Sequence, residues 1–341
     1  MSATFSILDQ ESHLPAASRA ALEQAVAEKN SSLNYPVLSE GASGGLLGAL
    51  SSLLSGGSAQ PRLHSKDLDA SRAALSLLPL DTTLSVDTHT PIVYLAEGAE
   101  DFGAFGALTR ANVSKLARII VPSRAAKDKL LAACPYPSES IQIIPAPLSQ
   151  SPSRTRAPRD LSDKTLHVLL VARESKPKAL AMALRAVEEA SQKRTIELSI
   201  AAPESMHATP VPPLGSSSSV TWIEDSAVQL GSEESTALLI AQDLLLVPDG
   251  AGEKELVLYA LACGVPVVGQ RHEDIASLPR RDRSGWLYLP EMTEAKMAKH
   301  MLELSPAQIN EASAWALKDS AERYSYTAWA SSVLELLNSL G

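Results

Sequence analysis

Apolar positions along the chain fall into two alternating rhythms. Short, nearly continuous apolar runs rich in β-branched residues occur at TFSIL (4–8), NYPVL (34–38), TTLSV (82–86), PIVYLAE (91–97), RIIVP (118–122) and IQIIP (141–145). They recur at LHVLLVA (166–172), IELSIAA (196–202), VTWI (220–223), DLLLVP (243–248), VPVVG (265–269) and GWLYLP (285–290). Runs without polar alternation predict parallel strands covered on both faces. Between them lie stretches with helical spacing, beginning with PAASRAALEQAVAEK (15–29). The succession predicts an α/β protein of two doubly wound, Rossmann-like domains facing an interdomain cleft, where the carboxyl ends of such sheets place ligands. Residues 149–164, SQSPSRTRAPRDLSDK, carry Ser, Pro and Arg without an apolar period, which is linker chemistry. The predicted organisation is therefore an N-terminal domain over 1–148, the linker, a C-terminal domain over 165–323, and a closing helix within 324–341. That helix sets Trp329, Val333, Leu336 and Leu340 on one face, which needs a partner surface and fits packing back on the first domain.

Composition narrows the function classes. With 341 residues and 45% hydrophobic content the chain can bury the cores of two domains. A formal charge of −9 argues against a general nucleic-acid or anionic-membrane surface, because those partners need clustered cations. The two cysteines, Cys134 and Cys263, lie far apart without metal-ligand spacing and read as buried thiols, so neither a disulfide framework nor a metal site is expected. The N-terminus has no basic segment followed by a long apolar one, and no stretch reaches the roughly 20 apolar residues of a membrane span, so a cytoplasmic, soluble protein is expected. No GxGxxG follows the first strand, and neither a GxxxxGK[ST] loop nor a GxSxG elbow occurs.

The segment DLLLVPDGAGEKELVLYALACGVPVVG (243–269), with VARESKPKAL (171–180) before it and RSGWLYLP (283–290) and ERYSYTAWA (322–330) after it, resembles the carboxy-terminal domain of retaining glycosyltransferases of the family-4 type. ARIIVPSRAAKDKLLAA followed by IQIIPAPL is similar to the last strand–helix–strand of that family's amino-terminal domain, so the likeness runs from about residue 90 to 340. The resemblance implies the GT-B fold and a metal-independent transfer with retention of configuration. A nucleotide-diphosphate sugar would be the co-substrate, with no separate cofactor. The acceptor, a glycan, lipid-linked or protein group, would be held by the amino-terminal domain. A leaving diphosphate gathers negative charge as the glycosidic bond breaks, so cations and helix amides aimed at it favour the transition state. Arg173 and Lys178 fall on the family's phosphate-gripping pair; Ala172 and Ala179 stand where the family has glycine, which narrows the backbone approach.

The family's two glutamates, one for the sugar and one for the ribose, correspond to Ala251 and Tyr259. Tyr259 can stack or donate one hydrogen bond there. A slip of one residue in this loop brings Glu253 or Glu255 toward the sugar; as acids in the first turn of a helix they equally suit its dipole. Glu97 stands where many members have a histidine and is a candidate proton acceptor or a helix cap, and His89 in the neighbouring loop is a second candidate for proton handling. Gly44 and Gly45, in the turn SGG, resemble the family's glycine-rich acceptor loop, and the Leu46, Leu50, Leu53 and Leu54 stripe after them reads as core or as a protein-partner surface. Two readings stand: an active glycosyltransferase, and a catalytically inactive GT-B subunit partnering an active enzyme. A protein partner or homo-oligomer is compatible with both.

Overall fold

In the computed structural model the apolar runs become two parallel sheets. The structure describes residues 3–8, 14–29, 31–34, 68, 71–77, 83, 89–96, 115–133, 136–172, 177–207, 209–249, 253–273 and 275–340. The chain divides into unit 1, Met1–Pro147 with Tyr326–Gly341, and unit 2, Leu148–Ser325.

In unit 1 the strands β1 (Thr4–Leu8), β2 (Ser32–Asn34), β3 (Ala73–Ser76), β4 (Ile92–Leu95), β5 (Leu116–Val121) and β6 (Ile141–Ile143) form a parallel sheet in the order β2-β1-β3-β4-β5-β6. The order reverses between β1 and β3, as in doubly wound sheets. Two expected strands differ. The run at 34–38 contributes Asn34 to a strand that starts at Ser32, and its other residues lie outside the described set; of 82–86 only Thr83 is described, and it is helical. The strand paired with β1 and β4 is instead Ala73–Ser76, Ala-Ala-Leu-Ser, whose four side chains are all buried. Its Ser76 hydroxyl bonds Thr83 at 2.9 Å, and Ser6 of β1 bonds Ser71 at 2.7 Å, so the buried hydroxyls are satisfied in pairs. Helices α1 (Ala16–Glu28) and α2 (Arg124–Ala133) belong to this unit, and so does the last helix, α8 (Tyr326–Asn338). Trp329 and Val333 of α8 are buried with Phe5, Leu22 and Val26, and Leu336 and Leu340 pack against the same cluster.

Unit 2 holds β7 (Leu166–Val171), β8 (Ile196–Ala202), β9 (Ser219–Glu224), β10 (Leu244–Val247), β11 (Val267–Gln270) and β12 (Gly285–Tyr288), all parallel, in the order β12-β11-β10-β7-β8-β9. This is the Rossmann order, with its switch point between β7 and β10. Its helices are α3 (Pro177–Ser191), α4 (Glu233–Ile240), α5 (Lys254–Cys263), α6 (Thr293–Glu303) and α7 (Pro306–Arg323). Successive strand residues feed two cores. Leu166, Val168 and Leu170 of β7 with Leu244 and Leu246 of β10 pack with α3 and α6, whereas Leu169, Val171, Leu245 and Val247 pack with α4 and α5. Continuous apolar runs are the sequence form of this double coverage. Ser232 caps α4 by accepting from the Ser235 amide, Ser305 and Gln308 form a capping box at α7, and Gly264, at φ 83°, ends α5 in the left-handed region that glycine enters at least cost. Cys263 is buried in the second core, where burial pushes its thiol up to about 12; Cys134 lies outside the described residues.

Residues 149–164, linker-like in composition, are fastened to unit 2. Arg156 and Arg159 both donate to the carboxylate of Asp243, the residue before β10, and that carboxylate also accepts from the His167 amide at 2.8 Å. All three side chains are at most 6% exposed. Asn310 of α7 accepts from the Arg159 amide at 2.7 Å and donates to its carbonyl at 3.0 Å. Removing one member of a buried ion cluster strands the charges that remain, at a cost of about 3–5 kcal/mol. Asp243→Asn is therefore expected to lower the stability of unit 2 by about that amount in urea unfolding, whereas Asp160→Asn, on an exposed side chain of the same segment, changes it little.

Candidate functional site

The β7–β10 switch point of unit 2 opens into a cavity of about 570 Å³. One wall is the start of α3, where Lys178, Met182 and Arg185 repeat at helical spacing, with Ala179 beside Lys178. Across from it lie Gln270, the last residue of β11, and Pro290, Glu291 and Glu294, which follow β12. Asp249, two residues past β10 and only 6% exposed, completes the lining. Parallel strands ending at one level explain how residues so distant in sequence converge: each loop leaves the sheet at its carboxyl edge.

The wall is electrostatically mixed. Arg185 donates twice to the Glu294 carboxylate, at 2.7 and 3.1 Å, and this hydrogen bond, with the charge behind it, holds the guanidinium still further toward its protonated form. Lys178 is exposed on the first turn of α3, whose leading amides lack partners within the helix. An ammonium beside such amides suits an anion, and the Asp249 and Glu291 carboxylates suit groups that donate hydrogen bonds. The floor depends on Gly269. A Cβ there would stand 2.1 Å from the Val247 carbonyl oxygen, so a side chain at this position would force β11 away from β10 directly below Asp249 and Gln270.

Of the residues singled out from the sequence, Lys178 stands in this cavity and Arg173 lies outside the described residues. Tyr259, expected beside the ribose, is instead 1% exposed in the second core. Its hydroxyl lies 2.7 Å from that of Thr236, which spends its own proton on the Ser232 carbonyl at 2.9 Å, so Tyr259 donates its proton to Thr236. Burial has the physical reason that α5 is apolar on all sides, Leu256 to Cys263 being buried without a break. Glu253 occupies the N-cap position of α5 and is buried; Glu255, on the first turn, is exposed and accepts from the Ser149 hydroxyl at 3.1 Å. Neither is among the described residues of the cavity lining. In unit 1, His89 is exposed in the bend before β4, next to Thr90, whose hydroxyl donates to the Leu68 carbonyl at 2.8 Å. Glu97, Gly44, Gly45 and the Leu46–Leu54 stripe lie outside the described residues. Sequence reading missed Asp249, Gln270, Glu291 and Glu294. The signal for Asp249 was an acid two positions past an apolar run; the other three carry no local signal.

Among the described residues no group of His, Cys, Asp and Glu is arranged to hold a metal ion, and no helix is long and apolar enough to cross a membrane. No protein-family model matches the chain, and no curated protein matches it in sequence. Solved structures do resemble it along its whole length. A crystal structure of HepE from Anabaena in complex with UDP is 14% identical, covering 99% of this chain and 100% of that one, with a TM-score of 0.51. A glycosyltransferase from Rickettsia africae is 9% identical over 99% and 98%, with a TM-score of 0.53. The sucrose-phosphate synthase of Thermosynechococcus elongatus is 12% identical over 99% of both chains, with a TM-score of 0.52. This likeness shows the fold: two Rossmann-like domains of the GT-B type.

Because Tyr259 is a core residue, Tyr259→Phe is expected to lower stability by about 1 kcal/mol through the lost hydrogen bond to Thr236. Ligand affinity at the cavity should stay within twofold of the parent, checked by paired denaturation and binding titrations.

Proposed function

We propose that the protein is a glycosyltransferase that takes its donor, a nucleotide-diphosphate sugar, in the cavity of unit 2. The observation that carries this reading is the placement of Lys178 and the first turn of α3 in a cavity of donor size at the Rossmann switch point. Pockets for ligands of that size span about 300–1,000 Å³. The UDP in the HepE structure supports the same ligand class, and uridine is the base we assign first.

In this reading Lys178, with Arg173 assigned by the resemblance, meets the diphosphate and stabilises the charge that grows on it as the glycosidic bond breaks. The carboxylates that accept from donor hydroxyls are Asp249 and Glu291 on the cavity wall, in place of those first sought at Glu253 and Glu255. Acceptor recognition, for a glycan, lipid-linked or protein group, belongs to unit 1, with Glu97 or His89 handling the proton and Gly44 and Gly45 leaving room for the incoming group. The transfer proceeds without a metal and with retention, the cationic pair doing the charge stabilisation that a metal would otherwise supply.

Thermal unfolding with uridine, guanosine, adenosine and thymidine diphosphates and their sugars tests this. A ligand present at about 100 times its Kd adds roughly 2.7 kcal/mol to the folded state. The expected result is a rise with one nucleotide that Lys178→Ala diminishes at least tenfold in affinity, and that Asp249→Asn diminishes for the nucleotide sugar more than for the bare diphosphate. A flat response across the whole panel rejects the donor site and leaves a non-catalytic GT-B protein. The anomeric configuration of the product, read by proton NMR, decides retention.

A further inference from the structure

A second hollow lies at the other end of β12. The cavity above is lined by residues that follow the strand; this one, of about 360 Å³, begins with Asp282 and Arg283, which precede it, and is closed by α6 and α7. Two indoles frame it. Trp286 is 8% exposed and packs on the His300 ring, 4.8 Å between centroids; Trp315, on α7, is half-buried. The Arg283 guanidinium sits 4.2 Å over the Trp315 ring, which holds an exposed side chain in place, and among the described residues no ion pair of Arg283 occurs.

The polar groups are matched in a particular way. Asp282 and Glu311 each bring a carboxylate with two acceptor oxygens. Arg283 brings a planar fork of donors. The Gln308 side-chain oxygen is taken up by the Ser305 amide and hydroxyl, both at 2.9 Å, which leaves its amide nitrogen as a donor. His300 is tied to the Tyr288 hydroxyl at 2.5 Å, and burial keeps its imidazole below the usual range, so it forms a neutral wall. Asp282 pairs with Arg281 at 3.5 Å, and Arg280 and Lys318, which join Arg283 over the Trp315 ring, pair with Asp319 and Glu322, so the charges around the hollow balance and favour neither an anion nor a cation, while an apolar ligand would cover four planar polar groups without partnering them. A ligand with paired donor–acceptor groups and an apolar face fits both sets. Adjacent hydroxyls of a pyranose pair with carboxylate, guanidinium and amide, while its C–H face lies against the apolar surface of an indole ring.

We infer that this hollow is a second binding site, for a neutral pyranose carrying adjacent free hydroxyls, separate from the donor cavity and independent of the reaction assigned to it. The probes are neutral trisaccharides of glucose, mannose, galactose and N-acetylglucosamine, each with its methyl glycoside, titrated against the full chain by calorimetry and by the fluorescence of its four tryptophans. The expected result is saturable binding of at least one probe, weakened at least tenfold by Arg283→Ala and by Glu311→Ala. Both of these side chains are exposed, so the fold survives their loss. Lys178→Ala and a saturating nucleoside diphosphate should leave this binding unchanged, so failure here is distinguishable from failure at the donor cavity. Absence of saturable binding with every probe, binding indifferent to Arg283 and Glu311, or displacement by the nucleotide would each overturn the inference.

Discussion

Strand β10 is four apolar residues bracketed by two buried acids, and much of unit 2 depends on that arrangement. Leu244 to Val247 face the two cores alternately and are no more than 1% exposed, so no polar side chain can occupy the strand itself. Polar function is pushed to its ends. At the amino end Asp243 gathers Arg156, Arg159 and the His167 amide into one buried cluster. At the carboxyl end Asp249 faces the cavity. The same sheet thus separates a stabilising acid from a cavity-lining one by a short stretch of chain, and burial on both faces keeps them apart.

Strands that carry continuous apolar runs were legible because double coverage leaves a direct mark on composition. β7, β8, β10 and β12 fall where the pattern places them. Ala73–Ser76 was not legible, since Ala and Ser are common to helices, loops and strands, and only its position between β1 and β4 makes it a strand. Residues 149–164 mark the start of unit 2, yet their attachment to it is not legible. Their Ser, Pro and Arg content is that of a connector, and the buried partner that fixes them, Asp243, lies far along the chain.

The candidate site divides along the same line. Lys178 carried a local signal, a cation at the start of a helix that follows a strand, and it lines the cavity. Gln270 and Glu294 carried none, because they reach the cavity through sheet order, which sets the end of β11 beside β10 and that of β12 beside β11. Tyr259 marks the limit of carrying a role across a motif. The helix keeps its place, yet with Leu256 to Cys263 wholly buried it offers no polar face there, and the phenol turns inward to Thr236.

The placement of α8 bears on how the chain acquires its structure. Its Trp329 and Val333 complete a core shared with Phe5, Leu22 and Val26, which precede α8 in the chain with all of unit 2 translated in between. Unit 2 is continuous in sequence and can condense as soon as it is made, whereas unit 1 lacks part of its apolar core until α8 is made. Of the two units, the one whose residues come earlier along the chain is therefore the one that finishes folding last.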